Sequence, residues 1–160
     1  IEVSFKNPKN TLTIGDDVYK LQQFHFHAPS ENEIDGQTYP LEGHFVYKTD
    51  NGKITVISVL YNYGDENQAL KQIWDKMPQA ANTETELSQP ISLDDFYPED
   101  KDYYNFEGSL TTPPCTEGVN WIVFKNQETV SKEQVEKFTQ TLGFKNNRPI
   151  QDTNGRQIKE

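Results

Sequence analysis

The sequence is poor in cysteine, histidine and positive charge. Cys115 is its one cysteine, so a closed metal site built from several thiolates is excluded. The chain has 15 basic against 25 acidic residues and a formal net charge of -10, which predicts that nucleic acids and anionic membranes repel it. No apolar run approaches the roughly 20 residues that a membrane-spanning helix needs. Nucleic acid and membranes are therefore not expected partners.

Length and aromatic content favour one folded domain that covers residues 1–160. A chain of 160 residues is long enough for a single core and short for two. Mean hydropathy is low at -0.85, but aromatic residues make up 12% of the chain, which is not typical of a disordered acidic segment. Residues 1–5 alternate like the middle of a half-buried strand without a preceding initiator Met, so we expect an N-terminal part to be missing.

Short alternating segments separated by turns predict strands. They cover residues 11–14, 18–26, 44–47 and 54–60, and a further strand is expected at 119–124. Turns that contain Gly15, Gly36 and Gly52 separate the first of these segments. Because the segments follow one another closely, we expect antiparallel pairing of near neighbours.

Two further segments predict helices. In residues 65–77 the apolar side chains recur at helical intervals, and a proline follows. The second helix is expected to begin at Ser131, where Gln134 completes a capping box, and to end before Gly143.

All three histidines of the chain fall within residues 25–44. His25 and His27 alternate with Phe24 and Phe26, and side chains two apart in a strand share a face, so the two imidazoles are expected side by side. A turn at residues 35–36 can bring His44 back alongside them. Three neutral imidazoles bind Zn²⁺ and leave a fourth position open, as in catalytic rather than structural zinc sites. The pattern therefore predicts a zinc site.

Three polar residues near the histidines are candidates for supporting roles. Gln23 and Glu42 each lie two residues before a proposed ligand and on the same strand face, where they can accept the ring proton of a ligating imidazole. Glu31, four residues after His27, is the remaining ionisable group near the cluster. Taken alone, Gln23 and Glu42 are equally typical of ordinary polar strand residues, and Glu31 is typical of a solvated turn carboxylate.

Two other interpretations of this region are open. A His-x-His pair often binds no metal, although the third histidine and the flanking phenylalanines weigh against that here. His25 and His27 followed by Glu31 also match half of the cupin metal motif, in which two His and one Glu hold iron or manganese. The nearest match to the second cupin motif, at residues 40–44, has the wrong spacing.

A longer motif resembles one known family. Residues 108–114 read Gly-Ser-Leu-Thr-Thr-Pro-Pro and are followed by Cys-Thr-Glu-Gly, which closely resembles the signature of α-class carbonic anhydrases in its bacterial-type form. Residues 23–32 resemble the zinc strand of that family, and residues 147–151 its C-terminal segment. The resemblance implies a mainly β (α+β) fold: a single domain with a strongly twisted, mostly antiparallel central sheet and a few peripheral helices.

The resemblance also implies a role for each matching position. It makes His25, His27 and His44 the ligands of Zn²⁺. Thr111 and Glu31 would orient a zinc-bound hydroxide that attacks carbon dioxide. Gln23 and Glu42 would be the hydrogen-bond partners of His25 and His44. The positions implied for substrate binding are the apolar residues Val46, Val56, Leu110, Val119 and Trp121, with Thr112 placed to hold bicarbonate.

Partners and location follow from the same resemblance. Carbon dioxide and bicarbonate are the expected substrates, sulfonamides the expected inhibitors, and a homodimer is expected by analogy with bacterial-type relatives. Cys115 matches a cysteine that is disulfide-bonded in the family, which implies a periplasmic or secreted protein. The alternative is a catalytically weak carbonic-anhydrase-like module that binds zinc or a partner.

Overall fold

The computed structural model describes residues 1–5, 9–87 and 89–160, and these form a large mixed sheet with two α-helices. The strands are β1 Glu2–Ser4, β2 Thr11–Ile14, β3 Asp17–His27, β4 Glu33–Ile34, β5 Gln37–Thr38, β6 Leu41–Lys48, β7 Ile54–Tyr63, β8 Tyr103–Ser109, β9 Glu117–Phe124 and β10 Glu128–Val130. The helices are α1 Gln68–Trp74 and α2 Lys132–Leu142, and a short 3-10 helix covers Leu93–Phe96.

The main sheet has eight strands among the described residues. Its order is β1-β3-β6-β7-β9-β8, while β2 also pairs with β3 and β10 with β7. Strands β4 and β5 form a separate small hairpin around the predicted turn at Asp35 and Gly36. The predicted strands are confirmed, with ends that extend by one to three residues in most cases, and the mainly β single-domain fold is confirmed with them.

Strands β3 and β6 carry all three histidines, and their pairing fixes the site. They run antiparallel, with His25 directly opposite His44 and His27 opposite Glu42. Direct partners lie on the same face of a sheet, so the register places the three imidazoles together. Phe24 and Phe26 point to the other face, where they are 0% and 1% exposed in the main core.

The two faces of the sheet have different contents. The helices pack against the face opposite the histidines. The core between them contains most of the large buried side chains, including Phe24, Phe45 and Tyr61 from the sheet and Trp74 and Phe138 from the helices. The histidine face carries a smaller apolar cluster around Val56, Val119 and Trp121. One face is therefore the core, and the other builds the site.

The antiparallel pattern is broken at two places, where β9 and β10 each run parallel to β7. Parallel neighbours need a long crossover, and residues between β7 and β9 supply it, including α1 and the edge strand β8. β9 lies between β7 and β8. The expected antiparallel pairing of near neighbours is confirmed for β2 with β3, β3 with β6, and β6 with β7, and it holds for β8 with β9 as well. The parallel pairing of β7 with β9 was not predicted.

The second predicted helix has the expected ends. Ser131 caps α2 by accepting a hydrogen bond from the backbone N–H of Gln134, and the Gln134 side chain completes the capping box. Gly143 ends the helix at φ 78°, a left-handed conformation in which glycine has no Cβ penalty. The first helix begins later than predicted, because Asn67 caps α1 from inside the expected range, and it also ends earlier, at Trp74. No helix among the described residues has the length and apolarity to cross a membrane.

Candidate metal centre and active site

The three histidines form a compact, largely buried cluster. His27 and His44 are 3% and 1% exposed, and His25 is partly buried. Ring centroids lie 5.0 Å apart for His25 and His27, 5.4 Å for His25 and His44, and 4.6 Å for His27 and His44. One nitrogen from each ring lies within 4.8 Å of the others, so the three side chains can hold one metal ion.

Each imidazole has one ring nitrogen in a hydrogen bond and one without a hydrogen bond to the described residues, which tests whether a metal fits. His25 Nδ1 lies 2.8 Å from Gln23 Oε1, His27 Nδ1 lies 2.9 Å from the backbone oxygen of Asn146, and His44 Nε2 lies 2.8 Å from Glu42 Oε1. All three partners are acceptors, so the engaged nitrogens carry the protons. His27 Nε2 is buried without a hydrogen-bond partner in the described part of the chain. An unpaired buried nitrogen in this donor set fits Zn²⁺.

Burial keeps two of the imidazoles neutral. It lowers the pKa of His25 to about 2, assisted by its proximity to His44 and His27. Burial also lowers the pKa of His27, again assisted by His44, against the opposing effect of Glu31. Neutral imidazole is the form that binds metal, so His25 and His27 are in the form that binds a cation at neutral pH.

Glu42 is a fully buried carboxylate whose hydrogen bonds connect His44 to neighbouring residues of the site. Its Oε2 accepts from the backbone N–H groups of Glu31 at 2.6 Å and Asn32 at 2.9 Å. Its Oε1 accepts from Asn32 Nδ2 at 2.6 Å, His44 Nε2 at 2.8 Å and Ser58 Oγ at 2.5 Å. Burial acts to raise the pKa of Glu42, but His44 and these hydrogen bonds outweigh it and lower the pKa to about 2. The carboxylate is therefore ionised.

Replacing Glu42 with glutamine is expected to destabilise the metal-free chain by about 2 kcal/mol or more, because an amide NH₂ would face donors that need an acceptor. Denaturant unfolding followed by circular dichroism measures the loss. The control is Glu136→Gln on the exposed face of α2, which should stay within about 0.5 kcal/mol of the parent chain. Equal stability of both variants would contradict the assigned network.

Glu31 lies between the histidines and the C-terminal segment. Its Oε1 accepts the backbone N–H of Arg148 at 2.6 Å and lies 3.2 Å from His27 Nδ1. Its Oε2 is buried, lies 3.9 Å from His44 Nδ1, and has no hydrogen-bond partner among the described residues. Among the described residues, the side chains placed to hold one ion are the three histidines, and Glu31 is not one of them. This weighs against a cupin-type site.

Thr111 lies in the loop that joins β8 and β9. Hydrogen bonds from Leu110 N to Thr116 O and from Cys115 N to Thr112 O, both 2.9 Å, shape this loop. Thr111 is partly buried and lines the same cleft as Glu31, whereas Thr112 is exposed. A hydrogen bond between Thr111 and Glu31 stays a prediction, and the unpaired Glu31 Oε2 is the oxygen available to accept it.

The five apolar positions expected at the substrate site belong to one cluster. Val56, Val119 and Trp121 are buried, and Val46 and Leu110 pack against them. The ring of Trp121 lies edge-on to that of His44, with centroids 4.8 Å apart. Gly108 makes this position possible, since a Cβ there would lie 2.9 Å from Trp121 Cδ1. An apolar surface therefore borders the histidine cluster.

An open cleft borders this region at Trp121 and Glu31, and its lining does not include the three histidines. Its volume is about 820 Å³, and its lining includes Glu31, Thr111, Trp121 and Arg148. Arg148 connects two parts of the lining, because its backbone N–H bonds Glu31 and its Nη1 lies 3.3 Å from Ser109 Oγ. The cleft brings a carboxylate, a hydroxyl and apolar surface to one place.

Sequence reasoning missed several of these contacts. Asn146, whose carbonyl oxygen accepts from His27, lies 119 residues away in the chain, and no local pattern marks it. Ser58 gives a weak signal, because it is a polar residue inside the apolar run of β7 and stands directly opposite His44. Asn32, next to Glu31, was not singled out.

Comparison with known proteins gives the same family over the whole chain. The model of the eukaryotic-type carbonic anhydrase family matches residues 1–160. Curated carbonic anhydrases of Pectobacterium carotovorum and Neisseria gonorrhoeae are each 46% identical, over 152 and 160 residues. These alignments cover 95% and 100% of this chain but 62% and 63% of the relatives, so the chain spans less than two thirds of their length.

Solved structures agree with the sequence comparison. The α-carbonic anhydrase of Thermovibrio ammonificans, in complex with the inhibitor sulfanilamide, superposes with a TM-score of 0.95 at 44% identity. The match covers 98% of this chain and 69% of that one. Together with the three-histidine cluster, these matches confirm the resemblance seen in the sequence: the chain belongs to the eukaryotic-type, or α, carbonic anhydrase family.

Proposed function

We propose that the chain catalyses the reversible hydration of carbon dioxide to bicarbonate and a proton, with one Zn²⁺ held by His25, His27 and His44. The observation that carries the proposal is the pairing of each imidazole with a proton acceptor on one side, which leaves one nitrogen of each ring for a shared ion. Family membership supports it.

The donor set determines what the ion contributes. Zn²⁺ held by three imidazoles keeps a fourth position for water and lowers the pKa of that water toward neutrality, an effect for which carbonic anhydrase is itself the reference case. Gln23, Glu42 and the Asn146 carbonyl fix the ring orientations and tautomers of the ligands.

Glu31 and Thr111 control the direction of attack in this proposal. In this arrangement the Thr111 hydroxyl donates its proton to the carboxylate oxygen Oε2 of Glu31, which has no hydrogen-bond partner among the described residues. The oxygen of the Thr111 hydroxyl then accepts a hydrogen bond from the attacking oxygen nucleophile, which points a lone pair at the carbon. The buried, unpaired Oε2 supports this arrangement, because a buried acceptor without a partner is costly.

Carbon dioxide is apolar, and the cluster beside the histidines matches that property. Val46, Val56, Leu110, Val119 and Trp121 form the surface against which the substrate would lie. Thr112, at the exposed end of the loop, would contact the bicarbonate product. Burial of the apolar wall excludes water from one side of the reacting carbon.

A carbon dioxide hydration assay combined with metal analysis tests the proposal. We expect one zinc per chain and hydration that a sulfonamide inhibits. Zinc without sulfonamide-sensitive hydration would favour the weak zinc-binding or interaction module instead. Iron or manganese in place of zinc would contradict the assignment.

The proposal extends to assembly and location. We include a homodimer, a periplasmic or secreted location, and a disulfide at Cys115. Cys115 is the single cysteine of the chain and is a free thiol in the structure, so its partner thiol would lie outside these 160 residues. Light scattering tests the homodimer, and a monomer would overturn it. Cell fractionation tests the location, and a cytoplasmic protein would overturn it. Non-reducing peptide mapping tests the disulfide, and a reduced Cys115 would overturn it.

A further inference from the structure

The chain contains two Asn-Gly pairs, and both lie in exposed turns. Asn51 and Gly52 belong to the turn between β6 and β7, and Asn154 and Gly155 to a turn in the C-terminal segment. In an Asn-Gly pair the backbone nitrogen of glycine can attack the asparagine side chain with little obstruction, because glycine has no Cβ. The two pairs share this chemistry, so their surroundings in the fold determine which one reacts.

Hydrogen bonds hold both reacting groups of the first pair. Thr49 Oγ1 donates to Asn51 Oδ1 at 2.5 Å, and the backbone N–H of Gly52 donates to the backbone oxygen of Thr49 at 3.1 Å. Thr49 is itself fixed, because its Oγ1 accepts from the backbone N–H of Lys53 at 2.9 Å. Attack requires the Gly52 nitrogen to approach Cγ of Asn51 closely, so both of the first two bonds must break beforehand.

The second pair has neither restraint. Within the described part of the chain, the Asn154 side chain and the backbone N–H of Gly155 make no hydrogen bond. The two residues have φ 50° and 79°, as at the central positions of a type I′ turn, and the backbone N–H of Arg156 closes this turn by donating to the Thr153 oxygen at 2.9 Å. Both residues are exposed, so water reaches the reacting atoms.

We propose that Asn154 is the preferred site of deamidation in the folded chain, with aspartate and isoaspartate as products. The Gly155 nitrogen forms a bond to Cγ of Asn154, the bond between Cγ and Nδ2 breaks, and the proton of the Gly155 nitrogen leaves with Nδ2 as ammonia. Water then opens the five-membered imide at either carbonyl, which gives aspartate or isoaspartate at position 154. The reaction goes beyond the proposed hydration activity and does not involve the histidine cluster.

The isoaspartate product changes a contact between the C-terminal segment and β8. Arg156 Nε donates to the Thr153 oxygen at 2.7 Å, and Arg156 Nη1 donates to the Glu107 oxygen at 3.1 Å. The guanidinium carbon lies 6.0 Å from the centroid of the Phe106 ring. Isoaspartate adds one carbon to the main chain between Thr153 and Arg156, so Arg156 no longer keeps both bonds. We therefore expect the modification to loosen this segment from β8.

Incubation of the folded chain in mildly alkaline buffer, followed by peptide mapping with mass spectrometry, tests the proposal. Labelling by an isoaspartyl methyltransferase distinguishes isoaspartate from aspartate. We expect Asn154 to deamidate about 10-fold faster than Asn51, which is the factor that two ordinary hydrogen bonds provide. In urea the two residues should react at similar rates, because the unfolded chain no longer protects Asn51.

Two variants separate the effect of the fold from that of the sequence. Thr49→Ala removes the hydroxyl that holds Asn51, so the deamidation rate of Asn51 should rise by about 3-fold or more while that of Asn154 stays the same. Asn154→Gln should remove most of the product at position 154, since attack on the longer side chain closes a less favourable ring. The thermal midpoint of the aged parent chain should fall below that of aged Asn154→Gln.

Equal rates for Asn51 and Asn154 in the folded chain would overturn the proposal. Unmodified Asn154 in the folded chain, under conditions in which the urea-unfolded chain reacts, would overturn it as well. If Thr49→Ala does not fold, the comparison of the folded and unfolded parent chain decides the question alone. Equal thermal midpoints after complete conversion would contradict the loosening of the segment.

Discussion

Replacing His27 with alanine is expected to abolish stoichiometric zinc binding. The change removes one of three ligand nitrogens, and the two that remain cannot complete a three-nitrogen site. The loss of affinity should greatly exceed the roughly 10- to 100-fold effect of removing an outer hydrogen-bond partner. Hydration activity should fall to the uncatalysed rate in the same samples. Metal analysis after dialysis, together with the hydration assay, measures both effects.

The control for this change lies on the same strand. Gln22 is exposed on β3 and its side chain donates to the backbone oxygen of Lys20, so Gln22→Ala alters the strand without removing a contact to a ligand histidine. It should retain zinc and activity. Stoichiometric zinc in His27→Ala would mean that the ion is held elsewhere or by other groups, and the assigned site would be wrong.

Replacing Thr111 with alanine is expected to separate metal binding from catalysis. The hydroxyl touches no ligand among the described contacts, so zinc content should stay at one per chain. Activity should fall by about 100-fold or more, because one positioned hydrogen bond at the reacting oxygen is removed. Stopped-flow hydration measurements on metal-analysed protein give this comparison directly.

Two variants sharpen the test of Thr111. Thr111→Ser keeps the hydroxyl and should restore most of the activity, whereas Thr116→Ala changes an exposed threonine of the same loop and should have little effect. Zinc loss in Thr111→Ala equal to that in His27→Ala would contradict the separate roles of the two residues. Full activity in Thr111→Ala would remove the proposed orienting step.

The sequence predicted the parts of the site that depend on local periodicity. The two-residue spacing of His25 and His27, the return of the chain to His44, and the Ser131 capping box are each set by neighbouring residues. The pairing of Gln23 with His25 and of Glu42 with His44 follows from the same spacing, since residues two apart in a strand share a face.

Contacts between distant segments were not predictable in the same way. Strand β8 was not expected, and the parallel pairing of β7 with β9 depends on a crossover whose path local patterns do not encode. Asn146 reaches His27 from the C-terminal segment, so the contact exists only once the sheet has formed. The shorter α1 has a local cause, because Asn67 Oδ1 accepts from Leu70 N and fixes the start of the helix.

Zinc K-edge X-ray absorption on the loaded chain tests the central claim most directly. The account predicts three imidazole nitrogens at about 2.0–2.1 Å and one further light-atom ligand, with no sulfur. A sulfur shell near about 2.3 Å, or fewer than three imidazoles per zinc, would contradict it.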